Sequence, residues 1–329
     1  MKTITAASGL KVSQIGLGCM GMSEFYGQSN PAGARQVLDR ALELGVNFFD
    51  TADMYGRGEN ERLVGAFARE HREQVVLATK CGIVRGAGPA DQRRDTSPAY
   101  IRTACEASLE RLGLEVIDLY YLHRLDDVTP IEDSIGELAR LVDGGKVRTI
   151  GLSEVSVEQL RKARTVHPIT AVQSEYSLST RGGEVEDVID VCAEIGALFV
   201  PFSPLGRGLL TGAYRSPEDF KGADFRNILP RFQNEALVKN LAVVDRLQNL
   251  AAEKGCSTAQ LALGWVLARG AHVSPIPGTR RLNRLAENLG AAAVVFTEVD
   301  LARIETIAPF NAVVGERYPA SMSSHASKC

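Results

Sequence analysis

Little net charge is left on this chain once 37 Lys+Arg are set against 40 Asp+Glu. Without a strong field of one sign, neither a nucleic acid nor an anionic membrane surface is an expected partner; a small molecule is. Long apolar runs are missing too: no stretch approaches the ~18 residues that a membrane span requires. The opening MKTITAASGL lacks the basic-then-apolar profile of a secretory leader, so a cytoplasmic setting is expected. The cysteines are few and unpatterned. Cys19, Cys81, Cys105, Cys192, Cys256 and Cys329 stand far apart, with no CxxC and no histidine at metal-ligand spacing, which argues against a disulfide framework and a zinc site. Nor does a low-complexity linker divide the 329 residues. One domain over 1–329 is expected, a length that α/β barrels commonly reach.

Short apolar runs that end in a polar or turn residue alternate with longer amphipathic stretches, the signature of repeated βα units. The runs are Ile15 to Cys19, Val46 to Asp50, Val75 to Lys80, Ile117 to His123, Thr149 to Ser153, Ala171 to Ser174, Leu198 to Ser203 and Val273 to Pro277. Eight of them suit a closed parallel (β/α)8 TIM barrel. Helices are expected over Ala32–Leu44, Glu59–Glu70, Pro98–Leu112, Ile131–Val142, Val157–Thr165 and Val185–Ile195, with Pro98 in a first turn and Gly144-Gly145 and Gly196 as stops. Ahead of the barrel, Thr3 to Val12 with its Ser8-Gly9 turn signal predicts a small hairpin that plugs the bottom face. The long stretch Leu205 to Phe232 breaks the spacing and reads as a functional loop. Two helical stretches follow it; a closing helix over Arg281–Leu289, a short terminal one over Leu301–Ile307 and an irregular tail from Pro309 complete the chain.

In barrels of this kind catalysis is built at the carboxyl ends of the strands, and those ends are polar here: Asp50, Lys80, His123, Ser153 and the pair Gln173, Ser174. Taken singly, each has a plain structural explanation as a cap, a solvated end or a hydrogen-bonded core group. Ionisable groups on successive strand ends should nonetheless converge on one rim, beside Tyr55 in the loop after the second run. Chemistry gives that set a purpose. Hydride reduction of a carbonyl leaves an alkoxide that needs a proton from an acid beside it. A phenol can supply it; Lys80 would ease its release, Asp50 would anchor Lys80, and His123 would orient the carbonyl.

The run NFFDTADMYGRGENERLVGAF from Asn47 to Phe67 resembles the first signature of the aldo-keto reductase superfamily. The resemblance continues through ATK to Lys80, DLYYLH to His123, GLSEVS at Gly151 to Ser156, AVQSEYSL at Ala171 to Leu178, FSPLGRGLLTG at Phe202 to Gly212 and Ile276 to Ala291, nearly the whole chain. It implies catalysis by Asp50, Tyr55, Lys80 and His123, with NADPH/NADP+ as cofactor and a small-molecule carbonyl as substrate. Ser153 and Gln173 would hold the nicotinamide carboxamide and Tyr176 would stack on its ring. Glu154 stands where many relatives carry Asn. The stretch Ser203, Pro204, Leu205, Gly206, Arg207, Gly208 would wrap the pyrophosphate, small residues letting backbone N–H groups approach. Thr279, Arg280 and Arg284 would take the adenosine 2′-phosphate at a helix amino end, with Glu287 and Asn288 on the adenine and Gly21, Met22 and Gly278 beside the cofactor. Gly278 replaces a Lys of several relatives. GLSEVS, VQSEYSL and the tail Gly315-Glu316-Arg317-Tyr318-Pro319 look most like the bacterial and plant branch of general aldehyde reductases. Met22, Phe25, Tyr26, Leu125 and Arg231 are candidate substrate walls.

The run from Gly16 to Gly21 satisfies GxGxxG, but a dinucleotide fingerprint must open a helix directly after its strand. Here the turn-rich MSEFYGQSNP follows, so a Rossmann dehydrogenase is not expected. The other alternative is a cofactor-binding auxiliary subunit like those of potassium channels, which share the barrel in this superfamily; fold alone does not separate it from an enzyme. The complete tetrad favours the enzyme.

Overall fold

The computed structural model describes residues 1–27, 30–86, 92–220, 222, 224–320 and 322; Cys329 lies outside them. The chain opens with β1 (Thr3–Thr5) and β2 (Lys11–Ser13), an antiparallel hairpin as expected. Then come β3 (Leu17–Gly18), β4 (Phe48–Asp50) and β5 (Val76–Cys81). A second hairpin, β6 (Ile83–Arg85) and β7 (Gln92–Arg94), stands at the exit of β5, followed by β8 (Ile117–Leu122), β9 (Val147–Ser153), β10 (Ala171–Glu175) and β11 (Leu198–Phe202). Seven of these form one parallel sheet in the order β3-β4-β5-β8-β9-β10-β11, the sequence order of a barrel.

The eighth expected strand, Val273 to Pro277, is not a regular strand, and its prolines explain why. Ser274 N and Ile276 N donate to Phe199 O and Pro201 O on β11 at 2.9 and 3.0 Å. The alternate N–H groups, which would face β3, do not exist in Pro275 and Pro277. On that side only a carbonyl is left, and Pro275 O accepts from Gly16 N at 3.0 Å. The segment therefore bridges both ends of the sheet, closing the ring with half a ladder.

Around the sheet lie α1 (Pro31–Glu43), α2 (Glu59–Glu70), α3 (Pro98–Leu112), α4 (Ile131–Asp143), α5 (Val157–Arg164) and α6 (Glu184–Ile195). Their starts and stops follow local chemistry. Asn30 and Ser97 cap helices whose first residue is proline, Ser156 and Gln159 form a capping box on α5, and Gly113 ends α3 at φ 64°. The loop after β11 is a chain of short 3-10 turns rather than open coil. It leads into α7 (Asn234–Glu253) and α8 (Thr258–Leu267), and the chain ends with α9 (Leu282–Gly290) and α10 (Glu298–Ile307). Among the described residues no helix is long and apolar enough to cross a membrane.

Side chains alternate across each strand, and the two faces pack separately. Phe49, Leu77, Tyr120, Ile150, Leu152, Val172 and Phe199 point outward into the layer shared with the helices. Phe48, Ala78, Leu119, Tyr121, Ala171, Leu198 and Val200 fill the barrel interior. Ile4, Ala6, Leu10 and Val12 of the first hairpin pack into that same interior, so the hairpin plugs one end. The other end is left to the polar residues that follow.

Candidate active site

The interior alternation places the site. Two residues beyond Phe48, Ala78, Tyr121, Gly151 and Ala171 come Asp50, Lys80, His123, Ser153 and Gln173, all facing inward just past the apolar layer. Their register is fixed by the ladder, with Asp50 opposite Ala78, Lys80 opposite Tyr121 and Gln173 opposite Ser153. A carboxylate and an ammonium buried in a greasy barrel would be costly apart; they are paired. Lys80 Nζ donates to Asp50 Oδ1 at 2.5 Å, to Thr51 O at 2.7 Å and to the Tyr55 hydroxyl at 3.4 Å. Gln173 Nε2 donates to Asp50 Oδ2 at 2.8 Å. The Tyr55 ring meets His123 edge to face, centroids 5.8 Å apart, and His123 Nδ1 has no hydrogen-bond partner among the described residues.

Tyr55 rides on a loop held in an uncommon shape. After it, Gly56, Arg57 and Gly58 run through the left-handed region at φ 56°, 55° and 89°, a path that strains Arg57. Asn60 fixes the turn from beneath: it accepts from Thr51 Oγ1 at 2.6 Å and donates to Cys19 O and Ser23 Oγ at 2.9 and 2.7 Å. Phe25, Glu154, Ser203 and Arg207 also have positive φ, from 49° to 75°, so several strand-exit loops carry strain.

Burial dominates the electrostatics. It pushes the Tyr55 phenol above its ordinary value, and the nearby Lys80 charge pulls it back only in part. The expectation that Lys80 lowers the phenol therefore describes one contribution, not the balance; the result is a phenol that keeps its proton at neutral pH. Burial works against the Lys80 ammonium, but Asp50 and Tyr55 together outweigh it and hold the group protonated. Burial, Lys80 and Arg124 push His123 well below the usual imidazole range, leaving a neutral ring.

A cavity of about 910 Å³ opens above this group, lined by Asp50, Tyr55, His123, Ser153 and Gln173. Gly21, Ser203, Pro204, Leu205 and Gly208 also line it, as do Gly278, Thr279, Arg280, Arg284, Glu287 and Asn288. Lys80 lies beneath the floor, fully buried. α9 begins without a side-chain cap, so no side chain takes its first N–H groups, which lie next to Arg280 and Arg281. Arg280 donates to Tyr26 O, and Arg284 pairs with Glu287 at 2.7 Å. The volume lies near the top of the roughly 300–1,000 Å³ typical of ligand sites, which suits a long ligand rather than a small one.

Three of the expected cofactor residues are not brought to this wall. Tyr176 is fully buried, stacks on Trp265 with centroids 5.5 Å apart and donates to Glu186 at 3.0 Å. Met22 packs into the outer core. Gly206 is buried with φ 58°, where a Cβ would strike Ser179 Oγ. Of the candidate walls, Phe25 and Tyr26 line the cavity, while Leu125 packs against the outer core and Arg231 bonds Gly315 O and Thr180. Sequence reasoning gave no role to Arg124, which donates to Ser153 Oγ at 3.0 Å, or to Arg94 of β7 and Tyr318 of the tail, all on the cavity wall. Arg124 directly follows His123, and that adjacency was the available signal.

A model of the Aldo/keto reductase family matches residues 14–309. The chain is 41% identical to the aldo-keto reductase yakc [NADP(+)] of Schizosaccharomyces pombe over 318 residues, 95% of this chain and 93% of the relative. Its structure is similar to that of a glycerol dehydrogenase from Gluconobacter oxydans, with TM-score 0.82 and 30% identity, covering 97% of this chain and 98% of the other. A thermostable aldo-keto reductase solved with the inhibitor epalrestat shares the fold at TM-score 0.74 and 24% identity, over 93% of this chain and 100% of that one.

Proposed function

This chain belongs to the aldo/keto reductase family, and from that premise we propose that it reduces aldehydes and ketones to alcohols with NADPH, aromatic and aliphatic aldehydes foremost, Tyr55 giving the proton. The observation that carries the reading is Lys80 bonded at once to Asp50 and to the Tyr55 hydroxyl, beneath a cavity of about 910 Å³ that Asp50 and Tyr55 line. NADPH is supported by the NADP(+) in the name of the fungal relative. Arg280 and Arg284 support it independently, since guanidinium forks at an uncapped helix start suit a 2′-phosphate. Each would exchange its present partner for that phosphate.

When bound, the cofactor supplies the hydride. As the carbonyl oxygen gains charge, Tyr55 passes it the phenolic proton, and Lys80 offsets the phenolate that remains. Asp50, itself held by Gln173, keeps Lys80 in place. His123, neutral, offers an N–H to the same oxygen and sets the carbonyl's direction. Gln173 has its amide nitrogen on Asp50, so its carbonyl oxygen and the Ser153 hydroxyl are the groups left for the nicotinamide carboxamide. The cytoplasm is the setting this reading implies.

NADPH absorbance followed with a panel of aldehydes tests the reading in wild type and Tyr55→Phe. Turnover should fall by about 10²–10⁴-fold in the variant, the usual worth of a positioned acid, while nucleotide binding persists. Equal rates in the two proteins would remove Tyr55 from its role. Nucleotide binding without turnover of any carbonyl would favour an auxiliary subunit instead.

A further inference from the structure

Four buried charges join parts of the chain that the barrel alone does not connect. Glu154 follows β9 and Glu175 ends β10; Arg207 lies in the loop after β11 and Arg317 in the tail. Arg317 Nη2 donates to Glu154 Oε2 at 2.9 Å and to Glu175 Oε2 at 3.2 Å. Arg207 Nη2 donates to the same Glu175 oxygen at 3.1 Å and to the Tyr318 hydroxyl at 3.0 Å. The remaining oxygen of Glu154 accepts from Glu175 N at 2.7 Å. The side chains of both glutamates are 2% exposed, Arg207 8% and Arg317 16%. Two carboxylates thus meet two guanidiniums largely out of water, with the charges of Arg124 and Arg231 close by, and removing one member leaves buried charge short of a partner.

Both ends of this cluster reach the cavity. Tyr318 and Arg207 line it, and Arg207 sits within the Ser203–Gly208 stretch. That stretch is bent against its preferences: Arg207 at φ 57° is a non-glycine residue in the left-handed region, flanked by Gly206 at 58° and Gly208 at 96°. Such a shape persists only when surrounding contacts impose it. Among the contacts at hand are the anchors of the Arg207 side chain on Glu175 and Tyr318 and the bond from Arg226 Nη1 to Arg207 O at 3.2 Å, and Arg317 both bonds Glu175 and lies over the Tyr318 ring at 5.6 Å.

We infer that Gly315–Tyr318 is latched by this cluster and that Arg317, acting through Glu175 and Tyr318, is a positioning residue for the loop that holds the nucleotide. The inference rests on the proposed binding of NADPH along Ser203–Gly208. Without Arg317 the buried carboxylates lose the guanidinium that bonds both of them, the tail lifts, and the loop relaxes toward ordinary backbone angles. Nucleotide affinity should then drop although no residue in contact with the nucleotide has changed.

Fluorescence titration with NADPH, together with steady-state kinetics, separates this role from general stability. Arg317→Ala should raise the nucleotide Kd and KM by about tenfold or more, equivalent to roughly 1.4 kcal/mol, with a smaller effect on kcat at saturating NADPH. Arg317→Lys should recover part of the affinity. A folded Arg317→Ala protein that binds NADPH within about twofold of wild type overturns the latch, as does a loss confined to kcat. Should the alanine variant be insoluble, Tyr318→Phe, which removes only the hydroxyl bonded to Arg207, is read the same way; unchanged affinity there also overturns it. Failure of the wild-type protein to bind NADPH would instead sink the functional reading beneath it, and shows before any variant is made.

Discussion

Lys80 keeps its charge where an isolated ammonium could not, because Asp50 lies 2.5 Å away and Thr51 O and the Tyr55 hydroxyl complete its shell. That arrangement makes stability and chemistry separable. Lys80→Met leaves the Asp50 carboxylate buried with only Gln173 to answer it, and breaking a buried pair from one side costs about 3–5 kcal/mol. Adding Asp50→Asn removes the stranded charge. Urea unfolding should therefore show the double variant more stable than Lys80→Met alone, by about 1 kcal/mol or more, while carbonyl reduction stays lost in both. A double variant that is the less stable of the two would mean the pair is not charged as described. Asp50, Lys80 and His123 could be picked out beforehand because polar residues at the ends of successive apolar runs point to one rim. Tyr176 could not be placed that way: it lies just past the end of β10, where alternation no longer dictates direction, and Trp265 offers its ring a dry stacking partner.

Elements were readable wherever an apolar period coincided with caps. The parallel strands, the first hairpin and the outer helices rest on such patterns. Two elements departed from expectation for opposite reasons. Val273–Pro277 has a strand's hydrophobicity, but its prolines withhold the donors for one edge. The β6–β7 hairpin has a strand's hydrogen bonds, but its residues, Ile83 to Arg85 and Gln92 to Arg94, carry no alternating apolar signal and are partly exposed. Packing inside the barrel is legible only in three dimensions. A Cβ on Gly151 of β9 would lie 2.5 Å from the Tyr121 ring and 2.9 Å from Ala171 O, and Tyr121 fills the barrel interior opposite Lys80 in the ladder. Gly151→Ala should then destabilise by about 1–3 kcal/mol through overpacking, measured by denaturant unfolding. A cost below about 0.5 kcal/mol, the range of a neutral surface change, would show that the ring can move aside.

The molecule as a whole carries two kinds of buried carboxyl, and they tilt its stability in opposite directions with pH. Burial alone would raise Glu175, but Arg317, Arg207 and Arg231 overcome it and hold the group down at about 2. A carboxyl depressed in the folded state contributes its stability above the unfolded value of about 4.3 and loses it as pH falls toward 2. Asp53 is the reverse case. Burial, with Glu61 adding repulsion, pushes it up to about 8; one of its oxygens is enclosed without a partner among the described residues, and the other accepts from the Tyr100 hydroxyl at 3.4 Å. A raised carboxyl contributes stability that is complete below the unfolded value of about 3.9 and declines as pH rises to 8. Folding should accordingly be most favourable on the acid side of neutrality, bounded below by Glu175 and weakened above by Asp53. Unfolding titrations at pH 5 and pH 8 on wild type and Asp53→Asn isolate the second effect. The substitution should stabilise the protein more at pH 8 than at pH 5, because only at the higher pH does it remove a charge from the enclosed site. Equal effects at the two pH values would mean that Asp53 is ionised in the folded and unfolded protein alike across the range, and that the alkaline decline belongs to another group.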